Sequence, residues 1–378
     1  MEILNLIRAN ENWEEIITGA PYYIKTQWDG NYVLLKYNQL ASDFNEQIVR
    51  ECRGAIFYIP SGGHEWADVV CYPFEKFGNY GESYVPEIDW NSACVFEKVD
   101  GSLIKLWYHK NEWHVSTNGC IDARKALTSI EGISFYDIFR RALLKHGNPE
   151  IFFATLDINT TYMFELVSPE TRVTIAYSEP ALYYLGERFM CTHLERFTEH
   201  HVEYRARFLQ FPKRYAFNTL EDCIKAVNEM GADEEGFVVC DKHFNRVKIK
   251  SPEYLIASKI RNNNAITTKR IVEAMRAELL DDFYAYAEDH KDAIDAVVNA
   301  YHSIALNLEK AYQLAKDNHC AEPNIPWHKI VTALPKQFQG YCFMRCANKV
   351  ENAYAFMNNH LSKTSLIDWI DEYKIEMR

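Results

Sequence analysis

The sequence predicts an α+β protein, with mixed, largely antiparallel sheets and flanking helices in a first domain (1–252) and an all-α second domain (253–378). Two observations carry that reading. From about residue 20 to 250, short apolar or alternating runs are broken by Gly, Pro, Asn and Asp, the pattern of strands and turns. After Lys250 the apolar residues recur at threes and fours, the pattern of a helix face. A chain of 378 residues has room for both cores.

Taken in order, the opening MEILNLIRANENWEEI reads as one amphipathic helix. It lacks the basic segment, apolar core and small-residue cleavage site of a signal peptide. The runs YVLLKY, GAIFYI, ADVVCY, CVFEKV, SLIKLWY, WHVSTNG, YMFELV, RVTIAY, ALYYLG, EGFVVC and RVKIK are expected strands. Helices are expected over 122–147 and over 220–231, the second ended by Gly231. Ser251-Pro252-Glu253 has the capping hydroxyl, first-turn proline and early acid of a helix start. Pro323, Pro326 and Pro335 mark loops in the helical region, and no internal repeat or low-complexity segment is present.

Composition narrows the class. No apolar run approaches the roughly 18 residues that cross a bilayer, so a cytoplasmic protein without a membrane partner is expected. The ten cysteines form no CxxC pair and are expected to be reduced core thiols. Cys342 and Cys346, with His360 beyond, are better explained by one turn of a packed helix than by zinc. A net charge of −12 argues against a broadly basic nucleic-acid surface. Residues 245–261 depart from it locally, with Arg246, Lys248, Lys250, Lys259 and Arg261 against Glu253 alone.

Four short segments could do chemistry. In VFEKVDGSLIKLWY, Lys98 precedes an Asp100-Gly101 turn signal, which fits either a surface hairpin with a solvated lysine or a nucleophilic amine at a strand lip. In RVKIK, alternation puts Arg246, Lys248 and Lys250 on one face, where they repel unless solvent or an anion receives them. Glu165 stands among Met163, Phe164, Leu166 and Val167, so it faces water on an edge strand or is buried beside a cation. Glu235 precedes Gly236, which is either an ordinary turn or a place where backbone approaches a ligand.

Each segment alone is weak, and their order is informative. KVDG (98–101), FELV (164–167), EEGFVV (234–239) and VKIK (247–250) resemble motifs I, III, IV and V of the covalent nucleotidyltransferases, the superfamily of polynucleotide ligases and mRNA capping enzymes. The closer resemblance is to RNA ligases of the phage T4 RNA ligase 1 type. It rests on ECRGAIFY (51–58), YPFEKFGNYGE (72–82), SPETRVTIAY (168–177) and SPEYL after motif V, and it extends over roughly residues 30–300. One departure stands out: where this family carries a basic residue in motif Ia, often Ser-Lys-Gly, the chain has STNGC (116–120), with Thr117 or Asn118 in the basic place.

The resemblance implies an ATP-grasp-like nucleotidyltransferase domain followed by a helical domain specific to RNA ligases. It further implies that Lys98 attacks ATP to form lysyl-AMP, that AMP passes to an RNA 5′-phosphate, and that a 3′-hydroxyl displaces it, in RNA or tRNA repair. Lys248 and Lys250 would neutralise the AMP phosphate, and Arg53 and Lys76 would hold the β- and γ-phosphates. Phe77 and Tyr254 would wall the adenine or belong to the core, and Glu97, Gly101, Asn118 and Gly236 complete the expected nucleotide site. Glu165, Glu235, Asp100, Asp281 and Asp282 are the expected ligands of Mg2+ or Mn2+, with Glu165 alternatively on the ribose. A monomer in the cytoplasm, the host's if phage-encoded, is expected. The alternatives are a capping guanylyltransferase or DNA ligase, disfavoured by the missing OB-fold pattern, and a catalytically silent RNA-binding module.

Overall fold

The computed structural model describes residues 1–39, 41–128, 130–196, 207–231, 233–252, 254, 267–276, 280–281, 284 and 291–376. The chain forms two compact units, one of residues 1–38 with 42–263 and one of 39–41 with 264–378.

Among the described residues the first unit holds three antiparallel sheets. Strands β1 (Lys25–Asp29), β2 (Tyr32–Lys36), β3 (Arg53–Tyr58) and β4 (Asp68–Cys71) follow one another in space as in sequence. The second sheet has the order β10-β9-β8-β6-β7, from β6 (Ser102–His109), β7 (Glu112–Thr117), β8 (Thr160–Val167), β9 (Ala181–Phe189) and β10 (Leu194–Arg196). The third has the order β11-β5-β12-β13, from β5 (Cys94–Glu97), β11 (Arg214–Tyr215), β12 (Gly236–Cys240) and β13 (Arg246–Lys250).

Period-two alternation decides which face is covered by what. Val33 and Leu35 on β2 join Ala55 and Phe57 on β3 against Ile3, Ile7 and Trp13 of the N-terminal helices. Leu34 and Ile56 point the other way and meet Trp107 of β6, so the first two sheets pack face to face there. Ile104 and Leu106 turn to the far side of the second sheet, against Ile138 and Phe139 of the helix Phe135–Leu144. The third sheet is backed by the helix Leu220–Asn228 through Cys223 and Val227.

Several expectations change. The opening helix is two, Glu2–Ala9 and Trp13–Thr18, interrupted around Asn10. RVTIAY is not a strand: the N–H groups of Thr174 and Ile175 are taken by the Asp100 carboxylate rather than a ladder partner. Of the helix expected over 122–147 only Phe135–Leu144 forms, because Gly132 adopts φ +78° and a reciprocal Ser134–Asp137 capping box starts the helix just beyond it. The helix expected to end at Gly231 closes at Asn228. Cys191, Cys320 and Cys346 are exposed rather than core thiols.

The second unit is helical as expected, with Thr268–Arg276, Lys291–Ala321, Trp327–Thr332, Lys336–Cys346, Ala353–Asn359 and Lys363–Glu376. Pro326 and Pro335 stand at helix N-termini. Ala311, Ala315, Ile330, Val331 and Cys342 form one core patch of this unit. Among the described residues no helix is long and apolar enough to cross a membrane.

Candidate active site

Lys98 does not sit on a hairpin. β5 pairs with β11 and β12, whereas β6 pairs with β7 and β8, so residues 98–101 carry the chain from the third sheet to the second. The crossing is pinned at its start, where Lys98 N–H donates to the Gly236 carbonyl at 2.8 Å.

That bond brings three charged side chains to one end of the third sheet. Glu235 precedes β12, and Gly236 faces Lys250 across the β12–β13 ladder. The Glu235 carboxylate lies between two amines, with Lys98 Nζ 2.7 Å from Oε2 and Lys250 Nζ 3.1 Å from Oε1. The Lys98 contact is a close ion pair without hydrogen-bond alignment. Lys98 keeps 20 % of its side chain exposed against 4 % for Glu235 and 7 % for Lys250, so the nucleophile candidate is the member a substrate can reach.

Two glycines permit the approach. Gly236 has φ +129°, and a Cβ there would lie 2.2 Å from the Ile249 carbonyl oxygen. The side-chain direction of Gly236 is taken by β13, whose Lys250 is brought to Glu235. A Cβ on Gly101 would lie 2.6 Å from Leu166 O and 2.9 Å from Glu165 Cγ, so the crossing can pass β8 only without a side chain.

Glu165 pairs with Leu103 across β6 and β8, facing the first sheet and half-buried. Burial pushes its carboxyl up to about 7, Glu235 and Asp100 add to the rise, and Lys98 and Arg53 oppose it. The unfolded chain ionises Glu165 near 4.5, so stability is lost as pH climbs from there through about 7. Glu165→Gln is expected to raise stability at pH 8 by on the order of 2 kcal/mol and to leave it nearly unchanged at pH 4. Thermal melts at the two pH values measure the difference.

Asp100 is buried and commits both oxygens to the protein. Oδ2 accepts from the N–H groups of Thr174 (2.8 Å) and Ile175 (2.6 Å), and Oδ1 accepts from the Tyr254 hydroxyl at 2.9 Å. Tyr254 is thereby buried, and burial followed by the Glu235 and Asp100 carboxylates pushes its phenol up, so it stays a donor. Ser251 caps the turn, accepting from Tyr254 N–H at 3.2 Å, as the Ser-Pro-Glu signal suggests.

The cations around Phe77 form the next group. The Arg53 guanidinium lies 5.3 Å from the Phe77 ring centroid and Lys248 Nζ 5.5 Å from it. Lys248 is tied to the segment after Phe77, its N–H donating to Gly78 O at 2.9 Å. Among the described residues Arg53 Nη1 is a buried donor without a hydrogen-bond partner.

Other expected residues sit differently. The Lys76 amine lies over the rings of Phe44 (4.8 Å) and Tyr37 (5.5 Å), and Lys76 lines a cavity of about 440 Å³ that also includes Arg50, Arg188 and Arg246 but not Lys98, Glu165 or Glu235. Arg246 pairs with Glu195 at 2.6 Å, so it does not share an anion site with Lys248 and Lys250. The Glu97 carboxylate accepts from Lys213 N–H at 3.2 Å. Asp281, in the second unit, accepts from Gln39 Nε2 at 2.5 Å. Asp282, Glu253, Lys259 and Arg261 lie outside the described residues.

One charged residue that the motifs do not point to is also present. Lys105 is fully buried in β6, and its amine donates to the Gly54 carbonyl. The available signal is its alternation with Leu103 and Trp107, which turns it inward.

The sequence profile of the RNA ligase family matches residues 51–254, just over half of the chain. A putative bifunctional polynucleotide kinase/RNA ligase of Autographa californica nuclear polyhedrosis virus is 31 % identical over 301 residues, 73 % of this chain and 40 % of the relative. The chain thus spans less than half the length of that protein. An RNA ligase of Rhodothermus phage RM378 is 25 % identical over 341 residues, 75 % of this chain and 76 % of the phage protein. Among solved structures, an archaeal ATP-dependent RNA ligase is similar with a TM-score of 0.47 at 12 % identity, over 98 % of this chain and 97 % of that one. With the profile running from the strand that bears Arg53, through Lys98, Glu165, Glu235 and both lysines of β13, to Tyr254, this chain belongs to the RNA ligase family.

Proposed function

We propose that this protein is an ATP-dependent RNA ligase that seals 5′-phosphate and 3′-hydroxyl RNA ends, as a monomer in the cytoplasm, in RNA repair. The observation that carries the reading is the Lys98–Glu235–Lys250 cluster, two amines held on one buried carboxylate with only Lys98 open to solvent.

Lys98 Nζ would attack the α-phosphorus of ATP. The N–P bond forms as the bond from phosphorus to the β-bridging oxygen breaks, pyrophosphate leaves, and the amine proton passes to solvent. Attack needs the free amine. Lys248 and Lys250 would balance the α-phosphate, and Arg53 the departing phosphates.

The donor set suits Mg2+ or Mn2+, since Glu165 and Glu235 are hard oxygen ligands and the crowding that raises Glu165 is relieved by a nearby cation. Glu165 and Glu235 are the residues that would hold it, and a divalent ion there supplies charge neutralisation for the phosphates. Asp100, already bonded to Thr174, Ile175 and Tyr254, holds the site's walls.

The reading is tested by incubating the protein with α-labelled ATP or GTP and a divalent cation under denaturing electrophoresis, then offering 5′-phosphorylated RNA or DNA. Label from ATP and circles of RNA support it; label from GTP alone, or joining of DNA alone, counts against it. In the same assay Arg53→Ala is expected to slow lysyl-AMP formation by about 10²-fold, mostly through a raised KM for ATP. An Arg53→Ala enzyme with unchanged KM would detach Arg53 from the triphosphate.

A further inference from the structure

Thr117 or Asn118 stands where this family's basic motif Ia residue is expected, and the structure brings Asn118 and a lysine to the same spot. A Cβ built on Gly54 would lie 2.7 Å from Asn118 O, 2.9 Å from Asn118 Oδ1 and 3.0 Å from Lys105 Nζ, so all three groups converge on the residue after Arg53. Gly54 has φ +76° and admits no side chain there. Lys105 comes from β6, opposite Ser116 of β7, and shares its sheet face with Leu103 and with Glu165 of β8. The step from the Leu103–Glu165 pair to Lys105 is about 7 Å along the strand.

The electrostatics of this spot call for an anion. Among the described residues Lys105 has no carboxylate partner; its amine is held by a carbonyl and is pushed down to about 8 by burial, with Arg53 and Lys36 lowering it further and Cys71 and Cys120 opposing. Among the described residues Arg53 Nη1 is buried without a hydrogen-bond partner. A buried amine beside a second cation is costly unless a group of opposite charge completes the pair.

We propose that Lys105 replaces, from the neighbouring strand, the basic residue that position 118 lacks, acting as a positioning residue that fixes the Arg53–Gly54 start of β3 and adds positive charge behind the triphosphate. The inference rests on the ATP-dependent reading above.

The test compares single-turnover lysyl-AMP formation in wild type, Lys105→Met, Lys105→Met with Asn118→Lys, and Lys105→Arg. Lys105→Met is expected to lose about 100-fold in kcat/KM for ATP, and adding Asn118→Lys is expected to recover at least tenfold by returning an amine to Gly54. For wild type, kcat/KM is expected to fall as pH rises through about 8, where Lys105 loses its proton, and this alkaline fall is expected to vanish in Lys105→Arg. The pH arm also decides the matter if Lys105→Met does not fold. Activity of Lys105→Met within threefold of wild type, a loss that Asn118→Lys does not rescue, or an alkaline limb that persists in Lys105→Arg overturns the assignment. A wild type that takes no label from ATP removes the ligase reading and this assignment together, whereas a labelled wild type beside an equally labelled Lys105→Met removes only the assignment.

Discussion

Lys98→Ala is expected to abolish covalent labelling by ATP, a loss of more than about 10⁴-fold, while leaving the melting temperature close to that of the wild type. The size follows from chemistry: among the described residues no other amine shares the position of Lys98. Lys250 reaches the same carboxylate but is only 7 % exposed, and the Lys248 amine is placed over Phe77. The small effect on folding follows from the ion pair, because removing Lys98 leaves Glu235 its 3.1 Å contact with Lys250. Joining of RNA that already carries a 5′-adenylate bypasses the missing step, so this variant is expected to retain that last reaction. Loss of sealing on pre-adenylylated RNA as well would indicate a damaged fold rather than a missing nucleophile.

The second large effect is structural. Gly236→Ala is expected to destabilise the protein by on the order of 4 kcal/mol and to lower Tm by about 10 °C. Alanine at φ +129° is strained, and its methyl would stand 2.2 Å from the Ile249 carbonyl oxygen. Relief requires β12 and β13 to part, which withdraws Lys250 from Glu235 and removes the 2.8 Å bond from Lys98 N–H to the Gly236 carbonyl. Adenylylation is therefore expected to fall together with stability, in contrast to Lys98→Ala. Calorimetry alongside the labelling assay separates the two classes, and an active Gly236→Ala enzyme of normal Tm would show that the β12–β13 approach is dispensable.

The charged centre was legible in the sequence because four motifs in fixed order report four strand ends, and each motif carries the residue that its strand presents. What spacing could not show is which strands pair. The Asp100-Gly101 signal is genuine turn chemistry, yet its flanking strands enter different sheets, a choice made by contacts with β8 and β12 far away in sequence. Gly236 likewise reads as an ordinary turn or as room for a ligand, and spacing does not show that its bare side admits β13. RVTIAY has the composition of a strand, but the carboxylate of Asp100 takes two of its N–H groups first. Lys105 shows the limit of periodicity: alternation turns it inward, and a lysine amid apolar residues is usually read as solvated because a buried amine is so costly. Only the convergence of Lys105, Asn118 and Gly54 in space gives that amine a reason to be inside.

All of this depends on where the adenylyl group goes. The most direct measurement is peptide mapping by mass spectrometry after brief incubation with ATP and a divalent cation, kept at neutral to alkaline pH because a phosphoramidate is acid-labile. The expected result is one adenylyl group on the peptide containing Lys98, lost on acid treatment. An adenylyl group on Lys248, Lys250 or a residue outside the cluster, or an unmodified Lys98 peptide from protein that seals RNA with ATP, would contradict the account.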